Sequence, residues 1–310
     1  MSFLRRSGFL FYQIGGKKMI SGKTKLAGFF AAPASHSFSP IMHNTAFKLC
    51  GIDAVYLAFE VDCHHLKQAL ESIRVLDMLG GNFSMPNKIA VLDYLDELSP
   101  EAELIGAVNT VVHKNHQLIG YNTDGMGFIR AVKEVGQTVV NQKMIVLGGG
   151  GAAKAIIAQM ALEGAKEVNV YKRKNTTFFL FKEYLAKVSE KTGCPIFLHD
   201  YANESQLVRD LKQADLLINA TDIGMGKKEG CLPLSHASLL SSNLTVFDLI
   251  YSPSETQLLK EAKKLGIKGY NGLDMLIHQG AIAFELWTQK EMPIEEIRRC
   301  LGVYEENKDV

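Results

Sequence analysis

From Thr24 onward, short apolar runs alternate with stretches whose apolar residues recur at helical spacing. Residues 25–31 predict a strand that ends at Ala32-Pro33. Ser39-Pro40 predicts a helix start, with Ser39 as N-cap and Pro40 at the first helical position. That helix runs to about Cys50, where Gly51 ends it. A strand is expected over residues 54–61, and a helix over residues 62–74 with Asp62 as N-cap. Another strand follows near residues 78–82, and Pro86-Asn87-Lys88 opens a helix reaching about Leu95. Residues 110–119 read as a hairpin turning at Lys114-Asn115. That register sets Asn109 opposite Gly120, near Asn122, Thr123 and Asp124. A helix over residues 125–134 leads into the second half.

There the pattern sharpens. Met144-Ile145-Val146-Leu147 is an apolar run, followed by Gly148, Gly149, Gly150, Gly151, Ala152 and Ala153. Ala153, Ile156, Ile157, Met160 and Ala161 then form a helical apolar stripe. Strand, glycine turn and helix together predict a dinucleotide-binding unit; Gly148, Gly150 and Ala153 fit its G-x-G-x-x-A spacing. The first glycine allows the tight turn, the second lets backbone approach a pyrophosphate, and free N–H groups at the helix start face the phosphates. The loop lies near mid-chain, so enough chain precedes it for a separate, substrate-holding domain.

The second strand of this unit is expected over residues 167–171, followed by Lys172, Arg173, Lys174 and Asn175. Cations there suit the 2′-phosphate of NADP. A solvated basic turn is the plainer alternative, and Asn175 could hydrogen-bond a ribose hydroxyl, which leaves NAD open. Strands over residues 215–220 and 245–250 alternate with helical segments, which implies a parallel sheet. The last helices, over residues 275–286 and 294–301, are expected to pack back onto the first domain.

Composition narrows the class without naming a chemistry. The 310 residues are 47% hydrophobic and 22% charged, with net charge +1. That is ordinary globular composition, long enough for two domains, and it supports neither a nucleic-acid surface nor a membrane-attracted face. No apolar run approaches the roughly 18 residues of a membrane span. Five cysteines without a C-x-x-C pair read as reduced thiols of a cytoplasmic protein. His64-His65 and the His113/His116 pair lack carboxylates or cysteines at ligand spacing, so they read as solvent-facing and no metal is expected. Residues 1–22 carry Arg5, Arg6 and an apolar piece too short for a signal peptide. They are expected to form a disordered extension, with Met19 a candidate functional start.

The first half places short polar side chains at element ends. Ser37 and Ser39 precede a helix, Asn82, Ser84 and Lys88 surround Pro86, Asn109 ends one element and Asp124 begins another; Gln279 lies in a late helix. Hydroxyls, amides, one lysine and one aspartate suit a small polyhydroxylated ligand. Taken singly, each also reads as a helix cap, a turn residue or a solvated lysine.

Taken together, the chain resembles the shikimate dehydrogenase family, most closely its quinate/shikimate dehydrogenase branch. The resemblance rests on residues 35–40 (SHSFSP), 82–88 (NFSMPNK), 106–110 (GAVNT), 120–125 (GYNTDG), 148–153, 219–221 (NAT) and 275–280 (MLIHQG), and spans about residues 24–303. The Ser84-Met85-Pro86-Asn87-Lys88 form and residues 171–179 point to the quinate-using branch. The resemblance implies a catalytic pair, Lys88 and Asp124. It implies that Ser37 and Ser39 bind the substrate carboxylate, and that Ser84, Asn109, Asp124 and Gln279 hold ring hydroxyls with Tyr251 nearby. Nicotinamide is expected near Asn219, Thr221 and Gly272. The implied architecture is α/β: an N-terminal α/β substrate domain over residues 23–123, completed by C-terminal helices over 271–310, and a Rossmann-type doubly wound parallel-sheet cofactor domain over 124–270. The implied activity is NAD(P)-dependent interconversion of shikimate and 3-dehydroshikimate, with quinate a second substrate, in a monomer or homodimer.

Departures from the family pattern refine this. Ala31-Ala32-Pro33 stands where a glycine is usual, and Lys172-Arg173 replaces Asn-Arg. Asn175 replaces the aspartate that serves NAD in the quinate branch, which favours NADP. Asp222-Ile223 replaces a small polar pair, so the nicotinamide edge is expected to differ. Quinate carries an extra hydroxyl at the carboxylate carbon, which makes the region of Ser37, Ser84 and Tyr56 the discriminating one. The rival readings are a quinate-preferring NAD enzyme of a breakdown pathway and a non-catalytic sensor of metabolite and cofactor.

Overall fold

The computed structural model describes residues 20–306, so the extension expected over residues 1–22 lies outside the described residues except for its last three. The first half runs β1 (Lys25–Ala31), α1 (Ser39–Leu49), β2 (Ala54–Glu60), α2 (Leu66–Val75), β3 (Gly80–Phe83), α3 (Asn87–Ala90), β4 (Glu97–Leu98), α4 (Pro100–Ile105), β5 (Thr110–Lys114), β6 (Gln117–Tyr121) and α5 (Asp124–Glu134). Its sheet has the order β2-β1-β3-β5-β6-β4. It is mixed: β1, β2 and β3 are parallel, while β5 runs antiparallel to both β3 and β6.

The second half runs β7 (Lys143–Leu147), α6 (Gly151–Leu162), β8 (Glu167–Lys172), α7 (Phe178–Thr192), β9 (Ile196–Asp200), α8 (Glu204–Leu211), β10 (Leu216–Asn219), β11 (Thr245–Asp248), α9 (Gln257–Lys264) and β12 (Lys268–Tyr270). Its sheet, β12-β11-β10-β7-β8-β9, is parallel throughout. Burial on both faces explains the unbroken apolar runs. Met144 and Val146 point into a core shared with Phe128, Ile156 and Ile157, whereas Ile145 and Leu147 point into the opposite one with Leu217, Val246 and Leu258. The chain winds outward from β7 through β9, then returns to β10 on the other side. That reversal opens a crevice at the carboxyl ends of β7 and β10.

Two further helices, α10 (Leu273–Thr288) and α11 (Ile294–Glu306), return to the first sheet. Ile277, Phe284, Trp287, Ile297 and Leu301 share a core with Ala27, Met42, Phe47 and Tyr56. The Trp287 indole N–H donates to the Val111 carbonyl at 3.0 Å. Gly80 makes this approach possible, because a Cβ there would lie 2.0 Å from the Val111 oxygen. No described helix is long and apolar enough to cross a membrane, and the five cysteines are free.

Several expected boundaries shift for local reasons. Phe38, already helical in backbone, takes the N-cap position of α1; Ser39 is the first helical residue and makes no capping bond. Asp62 caps the turn before α2, accepting from the His64 and His65 N–H groups, so the helix begins at Leu66. The hairpin turns at Asn115-His116, both with positive φ. Thr110 therefore pairs with Tyr121, and Asn109 lies next to Asn122 rather than opposite Gly120. The expected helix after Pro86 is one α turn followed by a 3-10 turn over Val91–Tyr94. The short β4, β9 and β12, and α4 with its Ser99 cap, carry too little periodic pattern to be read. His113 is not solvent-facing: its side chain is 5% exposed and meets the Met78 carbonyl at 3.1 Å. Among the described residues no group of three or more His, Cys, Asp or Glu could hold a metal.

His43 is the most consequential buried group that the sequence pattern hides. It is fully buried, stacks on Tyr56 at 4.5 Å, and neither ring nitrogen has a hydrogen-bond partner. Burial pushes its imidazole from 6.5 down to about 3. Between those values only the unfolded chain binds the proton, so stability is whole above about pH 6.5 and falls as pH drops toward 3. His43→Leu, close in volume, removes this dependence. Between about pH 6 and pH 4.5 the wild type should lose about 2 kcal/mol more unfolding free energy than the variant. Urea unfolding at the two pH values measures it, and parallel losses in both proteins would contradict the assignment.

Candidate active site

Lys88 and Asp124 come from two helices of the first half separated by β4, α4, β5 and β6. The turn through Pro86 leads from β3 into α3 and places Lys88 on its second residue, while Asp124 opens α5. Lys88 Nζ donates to Asp124 Oδ2 at 2.6 Å, with the two side chains 21% and 12% exposed. The other carboxylate oxygen accepts from Asn109 Nδ2 at 2.7 Å. Asn109 is itself locked: its Oδ1 accepts from the Thr123 N–H at 2.8 Å and from the Thr110 hydroxyl at 3.0 Å. Asn122 Oδ1 accepts from the Asp124 N–H. A carboxylate in the first turn of α5 also meets the positive end of the helix dipole. The tight hairpin register makes this cluster possible, because it delivers Asn109 beside Thr123 and Asp124.

A cavity of about 320 Å³ opens over the pair. Ser37, Ser39, Ser84, Asn109, Tyr251, Gly272 and Gln279 line it with Lys88 and Asp124. Every residue of the expected substrate set therefore faces one space. Asn82, one of the polar candidates around Pro86, lines it too, as does His36, to which the sequence assigns no role. Phe29, Met275 and Leu276 supply apolar wall. Tyr56 is fully buried and does not line the cavity. Its hydroxyl donates to Asn82 Oδ1 at 2.7 Å, so it acts on the site through Asn82.

Ala152 of the glycine loop also lines this cavity, next to a second one of about 340 Å³. Gly148, Gly149, Gly150, Tyr171, Lys172, Arg173, Asn175, Thr177, Thr221 and Asp222 border the second cavity. Gly148 has φ +114, and a Cβ on it would lie 2.6 Å from the Ala220 carbonyl. A Cβ on Gly150 or Gly151 would meet nothing within 4 Å, so the loop backbone is open to a ligand. Ala153 is buried against the core and lines neither cavity. Open glycine backbone beside cationic side chains fits a dinucleotide phosphate group.

Lys172 is the last residue of β8 and not a solvated turn residue. It is 6% exposed, and its ammonium donates to Asn175 Oδ1 at 2.6 Å and Thr177 Oγ1 at 2.9 Å. Burial, aided by the neighbouring Arg173, holds it below the usual lysine range. Asn219 is fully buried and lines neither cavity. Its Oδ1 accepts from the Thr221 N–H and hydroxyl, and its Nδ2 donates to Asp248 Oδ1. Burial raises the Asp248 carboxyl, which also accepts from Thr256. Asn219 thus positions Thr221. Gly272 sits where a Cβ would lie 2.1 Å from the Leu249 carbonyl. Thr221 and Asp222 both border the second cavity and not the first.

Residues 29–111 match the shikimate dehydrogenase substrate binding domain, and residues 272–299 match the shikimate 5'-dehydrogenase C-terminal domain. The shikimate dehydrogenase (NADP(+)) of Lactococcus lactis subsp. cremoris is 48% identical over 278 residues, covering 90% of this chain and 96% of that protein. The crystal structure of shikimate 5-dehydrogenase from Listeria monocytogenes in complex with shikimate and NAD has a TM-score of 0.90 at 44% identity, covering 92% of this chain and 99% of that one. Quinate dehydrogenase from Corynebacterium glutamicum in complex with NAD has a TM-score of 0.81 at 28% identity, covering 90% and 98%. With close relatives spanning nine-tenths of its length, the chain belongs to the shikimate dehydrogenase family.

Proposed function

We propose that this protein interconverts shikimate and 3-dehydroshikimate, using NADP in preference to NAD. The observation that carries the reading is the Lys88–Asp124 pair, 2.6 Å apart, in a polar cavity adjoining the glycine loop. Ser37 and Ser39 take the substrate carboxylate. Ser84, Asn109, Asp124 and Gln279 take ring hydroxyls, beside Tyr251. Oxidising an alcohol carbon requires the O–H proton to leave as hydride departs. Lys88 in its neutral form accepts that proton at Nζ. Asp124 orients the amine and balances the ammonium that results, while Asn109 fixes the carboxylate.

When bound, the dinucleotide supplies the hydride acceptor. Backbone N–H groups over Gly148 to Ala153 hold its pyrophosphate. Lys172, Arg173 and Asn175 face its adenosine end, Thr221, positioned by Asn219, borders the same cavity beside Gly148, and Gly272 faces its nicotinamide end. Residues 23–123 with the C-terminal helices over 271–310 serve the substrate, and residues 124–270 serve the cofactor. Free cysteines support a reducing, cytoplasmic setting.

Quinate as a second substrate is favoured by Ser84 and by the likeness to the Corynebacterium quinate dehydrogenase. Initial rates with shikimate and quinate, each with NADP and NAD, test the reading. The highest kcat/KM is expected for shikimate with NADP. Reduced cofactor formed only from quinate would shift the assignment to a breakdown enzyme. Cofactor binding without turnover of either acid would make the protein a sensor.

A further inference from the structure

The second cavity carries a charge that the dinucleotide reading leaves unexplained. Asp222 borders it together with Arg173 and Lys172. A carboxylate is an odd wall for a phosphate-bearing ligand, because like charges repel. It is also partly screened within its own loop: Lys228 Nζ donates to both Asp222 oxygens at 2.7 Å. The loop between them folds back on itself, with the Gly224 N–H donating to the Lys228 carbonyl and Gly224 at φ +118. Lys228 holds the Asp222 carboxyl below the usual range, and Arg173 adds to the pull across the cavity.

We propose that Asp222, partly screened by Lys228, sets how strongly this protein distinguishes an adenosine ribose bearing a 2′-phosphate from one that does not. Resting on the reading of the second cavity as the adenosine end, the proposal follows from charge balance. Lys172 and Arg173 attract the added phosphate, and Asp222 opposes them. Lys228 cancels part of that opposition. The carboxylate is 62% exposed in its side chain, so solvent screens the effect and a modest size is expected.

Calorimetric binding of adenosine 2′,5′-bisphosphate and of 5′-AMP to the full chain tests it without turnover. Asp222→Ser should raise the preference for the bisphosphate by about two- to five-fold. Lys228→Gln should lower it by a similar factor, and should have no effect once Asp222 is Ser. A preference unchanged in Asp222→Ser, or equal effects of Lys228→Gln with and without Asp222, overturns the proposal and leaves the cavity reading intact. Arg173→Gln separates the two. If it does not weaken bisphosphate binding, the cavity is not the adenosine end, and both readings fall.

Discussion

Lys88→Ala is expected to lower kcat for shikimate oxidation by about a hundred- to ten-thousand-fold, the usual range for removing a general base. The KM for shikimate should change by less than about ten-fold, because an interaction realised as the proton leaves is lost from kcat more than from ground-state binding. Lys88 is one group among ten polar or charged side chains of the cavity, and the serines, Asn82, Asn109, Tyr251 and Gln279 remain to hold the ligand. The fold should survive. Lys88 lies in a one-turn helix whose backbone is tied independently, through the Val108 N–H to the Lys88 carbonyl. Steady-state kinetics with a thermal-unfolding control measures both parts. Unchanged kcat would remove Lys88 from the role of base.

Asp124→Asn should lower kcat by about a hundred-fold or more and also raise the KM for shikimate, a different signature from that of Lys88→Ala. The reason lies in the donors around it. One Asp124 oxygen accepts from the Lys88 ammonium and the other from Asn109 Nδ2. An amide has only one oxygen, so its NH2 must face one of those donors. If it faces Lys88, the amine loses its anionic partner; if it faces Asn109, the locked hydrogen-bond frame opens. Asn109 cannot turn its own oxygen to help, since that oxygen already serves Thr110 and Thr123. A variant with normal kcat and KM would show that the carboxylate's charge is not needed.

Much of the fold was legible because the informative segments are long and periodic. β7, the glycine loop and α6 carry a strand run, a turn chemistry and a helical stripe in direct succession, and each supports the others. β1 and α1 were legible for the same reason. What failed was short or overridden by tertiary packing. β12 has three residues and β4 has two, too few to show a period. The sequence predicts the hairpin turn one residue early because Lys114-Asn115 and Asn115-His116 look alike, and only the latter pair adopts positive φ.

The site divides the same way. Ser37, Ser39, Ser84 and Gln279 gained weight only through the family resemblance, since a serine before a helix reads equally well as a cap. The long-range links were out of reach. Nothing local says that Tyr56 holds Asn82, that Lys172 turns inward onto Asn175 and Thr177, or that Asp222 faces the same cavity as Arg173. These are juxtapositions across strands, and a sequence displays them only after the sheet order is known.

The most direct test is a crystal structure of the protein with shikimate and NADP bound together. The shikimate carboxylate should lie on Ser37 and Ser39, and the ring 3-hydroxyl within hydrogen-bond reach of Lys88 Nζ. The nicotinamide face should lie against that same ring carbon. Shikimate bound elsewhere, or its 3-hydroxyl turned away from Lys88 and Asp124, would contradict the assignment of Lys88 and Asp124 as the catalytic pair.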